Sequence, residues 1–201
     1  MSSRDRSDRR TFLKRAGAYS GLLGVGSILK YDTQIFLLRK APAHEGPPRA
    51  EWAGATVKEY RPLGRTGWKM SDISFGSSNL TDPEVLRLAF DRGVNYVDTS
   101  PDYSDSESET AVGQAIKGRR DKVFVASKFC TPKGHLDENA KVPEIIKAVE
   151  DILRRLQTDY VDLLHVHACN TIERLMAPTF HEAFDRLKEQ GKARFMGVSS
   201  H

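Results

Sequence analysis

Three short apolar runs in this sequence each lead directly to an ionisable side chain. Asp98 follows the run that starts at Val94, Lys128 ends the segment VFVASK, and His167 ends the segment VDLLHVH. Tyr103 follows Asp98 within the stretch VNYVDTSPDY. A carboxylate, an ammonium, an imidazole and a phenol are groups that enzymes use to hold and transfer protons. Their placement therefore predicts a proton-transfer site, provided that the runs are neighbouring strands.

Two of these residues, taken alone, have a simpler structural explanation. Asp98 could cap a helix or a turn, as aspartates at the ends of elements commonly do. Tyr103 could be an aromatic residue at the rim of the fold with its hydroxyl in water. Lys128 is harder to explain in this way, because it follows an apolar run and lysines are almost never fully buried without a partner. The catalytic interpretation therefore depends on the four residues occurring together.

The segments around these residues alternate between strand-like and helix-like patterns. Runs rich in Val, Ile and Phe predict strands near 73–77, 94–98, 122–129, 160–168 and 193–200. Apolar stripes predict helices over 83–93, 106–118, 143–157 and 180–190, with a polar loop at 131–142. This alternation predicts a parallel sheet with right-handed crossovers. Upstream, residues 57–76 predict two extended pieces joined near Gly67 in a hairpin.

Residues 60–79, 85–116 and 153–200 resemble the aldo-keto reductase family. The resemblance covers residues 58–201 and includes the segment YRPLGRTGWKMSDISFGSSN near its start. The family's catalytic tetrad of Asp, Tyr, Lys and His falls, in that order, on Asp98, Tyr103, Lys128 and His167. One such match would be a weak signal. Four matches at strand ends, with family-like flanking sequence, are a specific one.

The resemblance implies a fold, a cofactor and a reaction. The fold is an α/β (β/α)8 TIM barrel, of which this sequence holds the first five βα units after an N-terminal β-hairpin. The reaction is the NADPH-dependent reduction of a small aldehyde or ketone. Tyr103 would donate the proton, Lys128 would stabilise the phenolate, and Asp98 would hold Lys128 in place. His167 would orient the substrate oxygen or assist the proton transfer.

The end of the sequence resembles the nicotinamide-binding strand of the same family. In its segment GVSS, Ser199 matches the family's serine, whereas Ser200 stands where the family has asparagine. The resemblance implies that Ser199, Ser200 and Asp98 contact the cofactor. His165 should share a face with His167, because strand residues alternate sides with period two. The family pattern does not explain this second histidine.

Two other functions fit the same residues. The barrel could bind NADPH without catalysis, as a regulatory subunit or an inactive fragment. Alternatively, Lys128 could form a Schiff base with a carbonyl substrate, as the lysines of barrel aldolases do. Tyr103 and His167 would then need other roles.

Residues 1–43 resemble a twin-arginine export leader. The segment SDRRTFLKRAG carries Arg9 and Arg10, and an uncharged run from Ala16 to Leu29 follows it. This run is shorter than the roughly 20 apolar residues that span a bilayer, but it suits a signal sequence. We therefore expect the twin-arginine export machinery as a partner and a periplasmic location, or a cytoplasmic one if the leader is not used. An uncleaved leader would be a membrane tether, and residues 44–56 predict a linker.

The net charge of +4 does not indicate a nucleic-acid partner. Residues 1–43 contain nine Lys or Arg and three Asp or Glu, so the basic excess belongs to the leader. The rest of the chain has no basic patch with interleaved aromatic residues. Neither Cys130 nor Cys169 belongs to a Cys-x-x-Cys pair, so the sequence predicts no metal site. The two cysteines could instead form a disulfide between neighbouring strands, which export would favour.

The length of the sequence is short for the fold that it resembles. It has 201 residues, whereas a (β/α)8 barrel typically has about 250. Five strands would leave an apolar sheet edge to be covered. We therefore expect the sequence to be a fragment of a longer barrel, with most contacts to the adenine end of NADPH lying further along.

Overall fold

The computed structural model describes residue 50 and residues 53–200. The predicted leader, residues 1–43, lies outside the described part of the chain, together with most of the predicted linker. Twin-arginine export, the periplasmic location and the membrane tether therefore stay predictions. Within the described residues, no helix combines the length and the apolar character needed to cross a membrane.

Eight strands are present in the described residues. They are β1 (Tyr60–Pro62), β2 (Lys69–Ser71), β3 (Phe75–Gly76), β4 (Tyr96–Asp98), β5 (Phe124–Thr131), β6 (Gly134–His135), β7 (Val161–Val166) and β8 (Ala193–Val198). The first two form an antiparallel pair of their own. The parallel sheet has the order β3-β4-β5-β7-β8, and β6 runs antiparallel to the end of β5. Neighbouring strands of the sheet are thus successive along the chain apart from β6, and the predicted parallel sheet is confirmed.

Helices connect the parallel strands. They are α1 (Pro83–Asp91), α2 (Glu107–Ile116), α3 (Val142–Leu156), α4 (Ile172–Leu175) and α5 (Pro178–Glu189). Local capping explains the start of α1, because the Asp82 side chain accepts a hydrogen bond from the Glu84 N–H and Pro83 occupies the first turn. An apolar stripe explains α3, whose fully buried residues are Ile145, Val149, Ile152 and Leu156.

The two faces of the parallel sheet carry different side chains. The face packed against the helices is apolar and completely buried at Val97, Val125 and Leu164. On the opposite face, the Phe124 ring stacks between Tyr96 and Phe195, with centroids 5.4 and 6.4 Å away. Asp98 and Lys128 follow these aromatic residues on the same face, because strand residues alternate sides. The aromatic cluster thus occupies the amino ends of the strands and the charged residues lie toward the carboxyl ends.

The structure differs from the predicted elements at three places. β5 continues to Thr131 instead of ending at Lys128, because its last two residues pair with β6. The region 131–142 therefore contains a short strand and is not only a polar loop. The predicted second helix begins with a 3₁₀ turn, Tyr103–Ser106. Sequence periodicity also missed α4, since its four residues are too few to show a repeat.

Candidate active site

Asp98 and Lys128 form an ion pair at the end of β4. Lys128 Nζ lies 2.6 Å from Asp98 Oδ2 and donates a second hydrogen bond to Thr99 O at 2.8 Å. The Lys128 side chain is only 3 % exposed, whereas that of Asp98 is 30 % exposed. A lysine at this depth needs an acceptor for its charge, and Asp98 provides it. The pair therefore fixes the ammonium within the sheet and leaves the carboxylate accessible to a ligand.

The Tyr103 ring lies against the Lys128 ammonium. Nζ is 4.5 Å from the ring centroid, within the range of a cation–π contact. Tyr103 is the first residue of the 3₁₀ turn, and its backbone N–H donates to Ser100 O at 3.1 Å. The structure thus brings three predicted tetrad residues, Asp98, Tyr103 and Lys128, into one cluster.

The turn that carries Tyr103 has an unusual backbone. Ser104, Asp105 and Ser106 have φ angles of 48°, 51° and 73°, in the left-handed region that non-glycine residues avoid. Each such residue costs roughly 1–2 kcal/mol relative to a right-handed conformation. The Ser106 hydroxyl donates to Pro101 O at 2.7 Å and so offsets part of this cost. Contacts within the fold therefore hold Tyr103 in a conformation that the segment alone would not favour.

A buried network of hydroxyl groups supports the end of β4. Ser77 Oγ donates to Asp98 O at 2.8 Å and lies 2.7 Å from Ser108 Oγ. Thr99 Oγ1 lies 3.0 Å from the same Ser108 oxygen. All three hydroxyl residues are almost completely buried. Because they connect the ends of β3 and β4 to α2, they hold the backbone on both sides of Asp98 in position.

His167 lies immediately after β7 and is buried, with 4 % of its surface exposed. Its Nδ1 accepts a hydrogen bond from the Ala168 N–H at 3.0 Å, so the neutral ring carries its proton on Nε2. That Nε2 faces Asp102 Oδ2 at 3.5 Å. Burial raises the pKa of Asp102, but hydrogen bonds from His167 and Ser100 outweigh it and hold that pKa below its usual range. Asp102 is therefore a charged partner for the fourth predicted tetrad residue.

Sequence reasoning missed two residues that position His167. Asp102 is one, although its place directly before Tyr103 in the stretch DTSPDY was a usable signal. Arg174 of α4 is the other, and its guanidinium donates to His167 O at 2.8 Å and to Leu136 O at 2.7 Å. Its side chain is mostly buried, which strengthens both bonds. Arg174 thus ties the end of β7 to the segment that follows β6.

His165 is the neighbour of Lys128 across the β5–β7 pairing. Its Nδ1 atom is buried and has no hydrogen-bond partner among residues 53–200. Burial lowers the pKa of His165, while the charge of Asp98 opposes this shift and that of Lys128 adds to it. The second histidine therefore belongs to the charged cluster, and its ring favours the neutral form.

Ser199 and Ser200 follow β8 at the same end of the sheet as the ion pair. The Ser199 N–H donates to Val166 O at 3.0 Å, which fixes this segment against β7. The Ser200 hydroxyl donates a hydrogen bond to Asn170 Oδ1, with 3.1 Å between the two oxygen atoms. Ser199 is half-buried and Ser200 is exposed. Two hydroxyls and one amide offer both donors and acceptors, which is what a carboxamide group requires.

The Cys130–Cys169 disulfide, which the sequence left open, is not formed in this structure, because both cysteines are free. Cys130 remains inside β5, since that strand continues into the pairing with β6. Cys169 lies in the turn after β7, and its N–H donates to Ser199 O on the β8 side. The two segments therefore diverge. Burial, together with the nearby Asp102 charge, raises the pKa of the Cys130 thiol to about 12.

Comparison with known proteins identifies similar sequences over the same region. A model of the aldo/keto reductase family matches residues 67–201. L-galactose dehydrogenase of Arabidopsis thaliana is 36 % identical over 159 residues, in an alignment that covers 72 % of this chain and 49 % of that protein. A methylglyoxal reductase of Escherichia coli is 36 % identical over 140 residues, which are 69 % of this chain and 45 % of that protein. The chain thus spans about half the length of these relatives.

Solved structures match the fold. The holo form of an aldo-keto reductase from Bacillus halodurans superimposes with a TM-score of 0.60 and 35 % identity, over 71 % of this chain and 50 % of that one. An aldo-keto reductase from Klebsiella pneumoniae in complex with NADPH gives a TM-score of 0.56 and 34 % identity, over 67 % of this chain and 47 % of that one. These similarities support the same arrangement of strands and helices.

Proposed function

Because the chain belongs to the aldo/keto reductase family, we propose that it takes part in the NADPH-dependent reduction of an aldehyde or ketone to an alcohol. Its alternation of helices with a parallel sheet is of the (β/α)8 type, in which chemistry takes place at the carboxyl ends of the strands. One observation carries the proposal most directly. The buried Lys128 ammonium contacts both the Asp98 carboxylate and the Tyr103 ring.

In this proposal the residues of the chain orient the carbonyl group and protonate it. The hydride is the contribution of bound NADPH. The substrate oxygen lies against the Tyr103 hydroxyl, which donates the proton that the developing alkoxide requires. Lys128 stabilises the phenolate that remains, and Asp98 keeps the ammonium in place. His167 orients the substrate oxygen or assists the proton transfer, with Asp102 holding its ring.

Ser199, Ser200 and Asp98 are the residues that we expect to hold the nicotinamide end of the cofactor. Ser200 departs from the family pattern, because its hydroxyl side chain is shorter than the amide that the family has at this position. Asn170 supports the assignment, because its side-chain oxygen accepts a hydrogen bond from the Ser200 hydroxyl, two residues after β8. The NADPH complex of the similar Klebsiella pneumoniae enzyme supports NADPH as the cofactor.

Replacing Tyr103 by Phe tests the proton donor. We expect Tyr103→Phe to lower the rate of carbonyl reduction by about 10²- to 10⁴-fold, the range that general acid catalysis contributes. NADPH binding, measured by quenching of protein fluorescence, should remain. Tyr160→Phe is a matched control, because Tyr160 directly precedes β7 and so lies at the opposite end of the strands. Turnover by Tyr103→Phe at nearly the wild-type rate would contradict the mechanism.

The two alternative functions predict different results in the same experiments. A regulatory subunit would bind NADPH but reduce none of a broad panel of aldehydes and ketones. A Schiff-base lyase would be trapped covalently at Lys128 when borohydride is added with a carbonyl substrate. The observed geometry favours reduction over the lyase, because Lys128 Nζ already donates to Asp98 and Thr99 and is in a poor position to act as a nucleophile.

A further inference from the structure

A second cluster of reactive side chains lies beside His167. Asp102, Cys130, His135 and His167 each contribute one nitrogen, oxygen or sulfur atom, and these atoms lie within 4.8 Å of one another. The four residues come from the loop after β4, from β5, from β6 and from the end of β7. Cys130 and His135 have no role in the proposed reduction. Their position next to a proposed catalytic histidine therefore calls for a separate explanation.

The distances in this cluster resemble the edges of a zinc coordination tetrahedron. Zn–N and Zn–O bonds of about 2.0–2.2 Å place neighbouring ligand atoms about 3.3–3.6 Å apart. His135 Nε2 and His167 Nε2 both lie 3.5 Å from Asp102 Oδ2. These two edges already have the required length. The remaining edges, none longer than 4.8 Å, close with movements of about 1 Å.

The donor atoms also suit zinc better than they suit Mg²⁺ or Ca²⁺. One thiolate, two imidazoles and one carboxylate are all ligand types that Zn²⁺ accepts in tetrahedral sites. Mg²⁺ and Ca²⁺ prefer oxygen ligands, so they fit this set poorly. A zinc site here was not predicted, because its ligands are far apart in sequence and lack the spacing of a zinc motif.

Contacts within the fold already hold three of the four ligands, Cys130, His135 and His167, close together. Cys130 and His135 are direct partners in the β5–β6 pairing. The Arg174 guanidinium donates to Leu136 O and to His167 O, so one side chain connects two ligand-bearing segments. The rings of His135 and His167 are in contact, with centroids 4.2 Å apart. Because the His135 side chain is 41 % exposed, it also offers an entry path from solvent.

We propose that Asp102, Cys130, His135 and His167 form a regulatory Zn²⁺ site that inhibits the reductase. The inhibitory role rests on the proposed function, because His167 belongs to both sites. On binding, Cys130 loses its proton to solvent and coordinates as a thiolate. The His167 proton moves from Nε2 to Nδ1, so the contact with the Ala168 N–H is lost. Coordinated in this way, His167 no longer reaches the substrate oxygen.

Cobalt provides a visible probe for the site, since Zn²⁺ has no colour. A thiolate-bound tetrahedral Co²⁺ ion absorbs in the visible and shows a sulfur-to-metal band in the near ultraviolet. Adding Co²⁺ to the chain should produce both bands, and Zn²⁺ should remove them. Cys130→Ser should abolish the near-ultraviolet band, whereas Cys169→Ser, which changes the cysteine outside the cluster, should keep it. A spectrum of hexaaqua Co²⁺ alone would overturn the proposal.

Activity measurements separate the zinc site from the proposed reductase function. His135→Ala should reduce a carbonyl substrate at the wild-type rate without metal but need about 10- to 100-fold more Zn²⁺ for equal inhibition. Identical Zn²⁺ inhibition of wild type and His135→Ala would overturn the regulatory role. If the cobalt bands appear but no carbonyl substrate is reduced, the metal site is supported and the proposed reductase function is contradicted.

Discussion

Glu109 shows how strongly the role of one side chain depends on its surroundings. From the sequence it is an acidic residue in the first turn of a helix, where the helix dipole favours a negative charge. In the structure it is completely buried, accepting hydrogen bonds from Ser127 Oγ at 3.1 Å and from Arg155 Nε at 2.6 Å. Burial raises the pKa of Glu109 to about 7, although Arg155 and Ser127 act against this shift. Glu109 therefore connects α2 to β5 and α3. Its burial in this position makes the ionised form of its carboxyl group less favourable.

We expect the Glu109 contribution to stability to decrease as the pH rises from about 4 to about 7. The folded state keeps its proton up to about pH 7, whereas the unfolded chain loses it near pH 4.3, so the folded state binds more protons between these values. The decrease amounts to at most about 4 kcal/mol in the free energy of unfolding. The free energy of unfolding of wild type minus that of Glu109→Gln, both measured with urea, should therefore fall as the pH rises across this range.

Taking the difference is necessary because His165 acts in the opposite direction. Burial lowers its pKa, so its contribution is present above the unfolded value and is lost as the pH falls. Glu107→Gln is the matched control, since Glu107 is an exposed acid in the same helical turn. Its pH profile should run parallel to that of wild type. A Glu109→Gln profile that also runs parallel would contradict the assignment.

At the scale of elements, the contact between α2 and α3 depends on a residue without a side chain. Gly113 lies in the interior of α2, where glycine normally weakens a helix by about 1 kcal/mol relative to alanine. A Cβ atom at this position would lie 2.7 Å from Leu156 O and 2.9 Å from Arg155 O. These are backbone atoms at the end of α3 and cannot move without shifting the helix. The close approach of two helices therefore explains the glycine.

Replacing Gly113 by Ala should consequently destabilise the protein, against the usual helix preference. The overpacked helix contact should cost about 1–3 kcal/mol in the free energy of unfolding. Urea or thermal unfolding measures this change. Gly54→Ala provides the control, because a Cβ atom there would meet none of the described residues within 4 Å and should change stability by less than about 0.5 kcal/mol. A Gly113→Ala variant more stable than wild type would show that the helices do not pack as observed.

At the scale of the described molecule, packing and chemistry occupy opposite ends of the same strands. The amino ends carry the aromatic cluster around Phe124, which also contacts Trp68 with a centroid distance of 5.8 Å. The carboxyl ends carry the Asp98–Lys128 ion pair and His167. This division lets the apolar cluster stabilise the sheet without restricting which polar groups surround the site.

The division predicts that Phe124→Leu separates stability from catalysis. Loss of ring stacking and of buried volume should lower the free energy of unfolding by about 1–2 kcal/mol. The ratio kcat/KM for carbonyl reduction should stay within about twofold of wild type below the unfolding transition. Unfolding monitored by fluorescence and a steady-state assay on the same samples test both statements. A large loss of kcat/KM with unchanged stability would contradict the separation.

The sequence by itself determined the order of strands and helices and the residue types of the candidate site. These features are local: apolar periodicity marks each element, and the strand-end residues Asp98, Lys128 and His167 follow directly from it. Parallel order then brings the carboxyl ends together, so a shared site could be predicted without coordinates. The assignment of catalytic roles to these residues stays a prediction.

Only the tertiary structure decided which further groups surround that site. The extension of β5 past Lys128 depends on pairing with β6, and the burial of Glu109 depends on Ser127 and Arg155. The contact of Asp102 with His167 joins two loops that follow different strands. None of these contacts leaves a periodic signal in the chain, because each is set by long-range packing and by the loss of solvent around charged groups. The sequence specifies the ends of the strands, and the fold specifies what meets there.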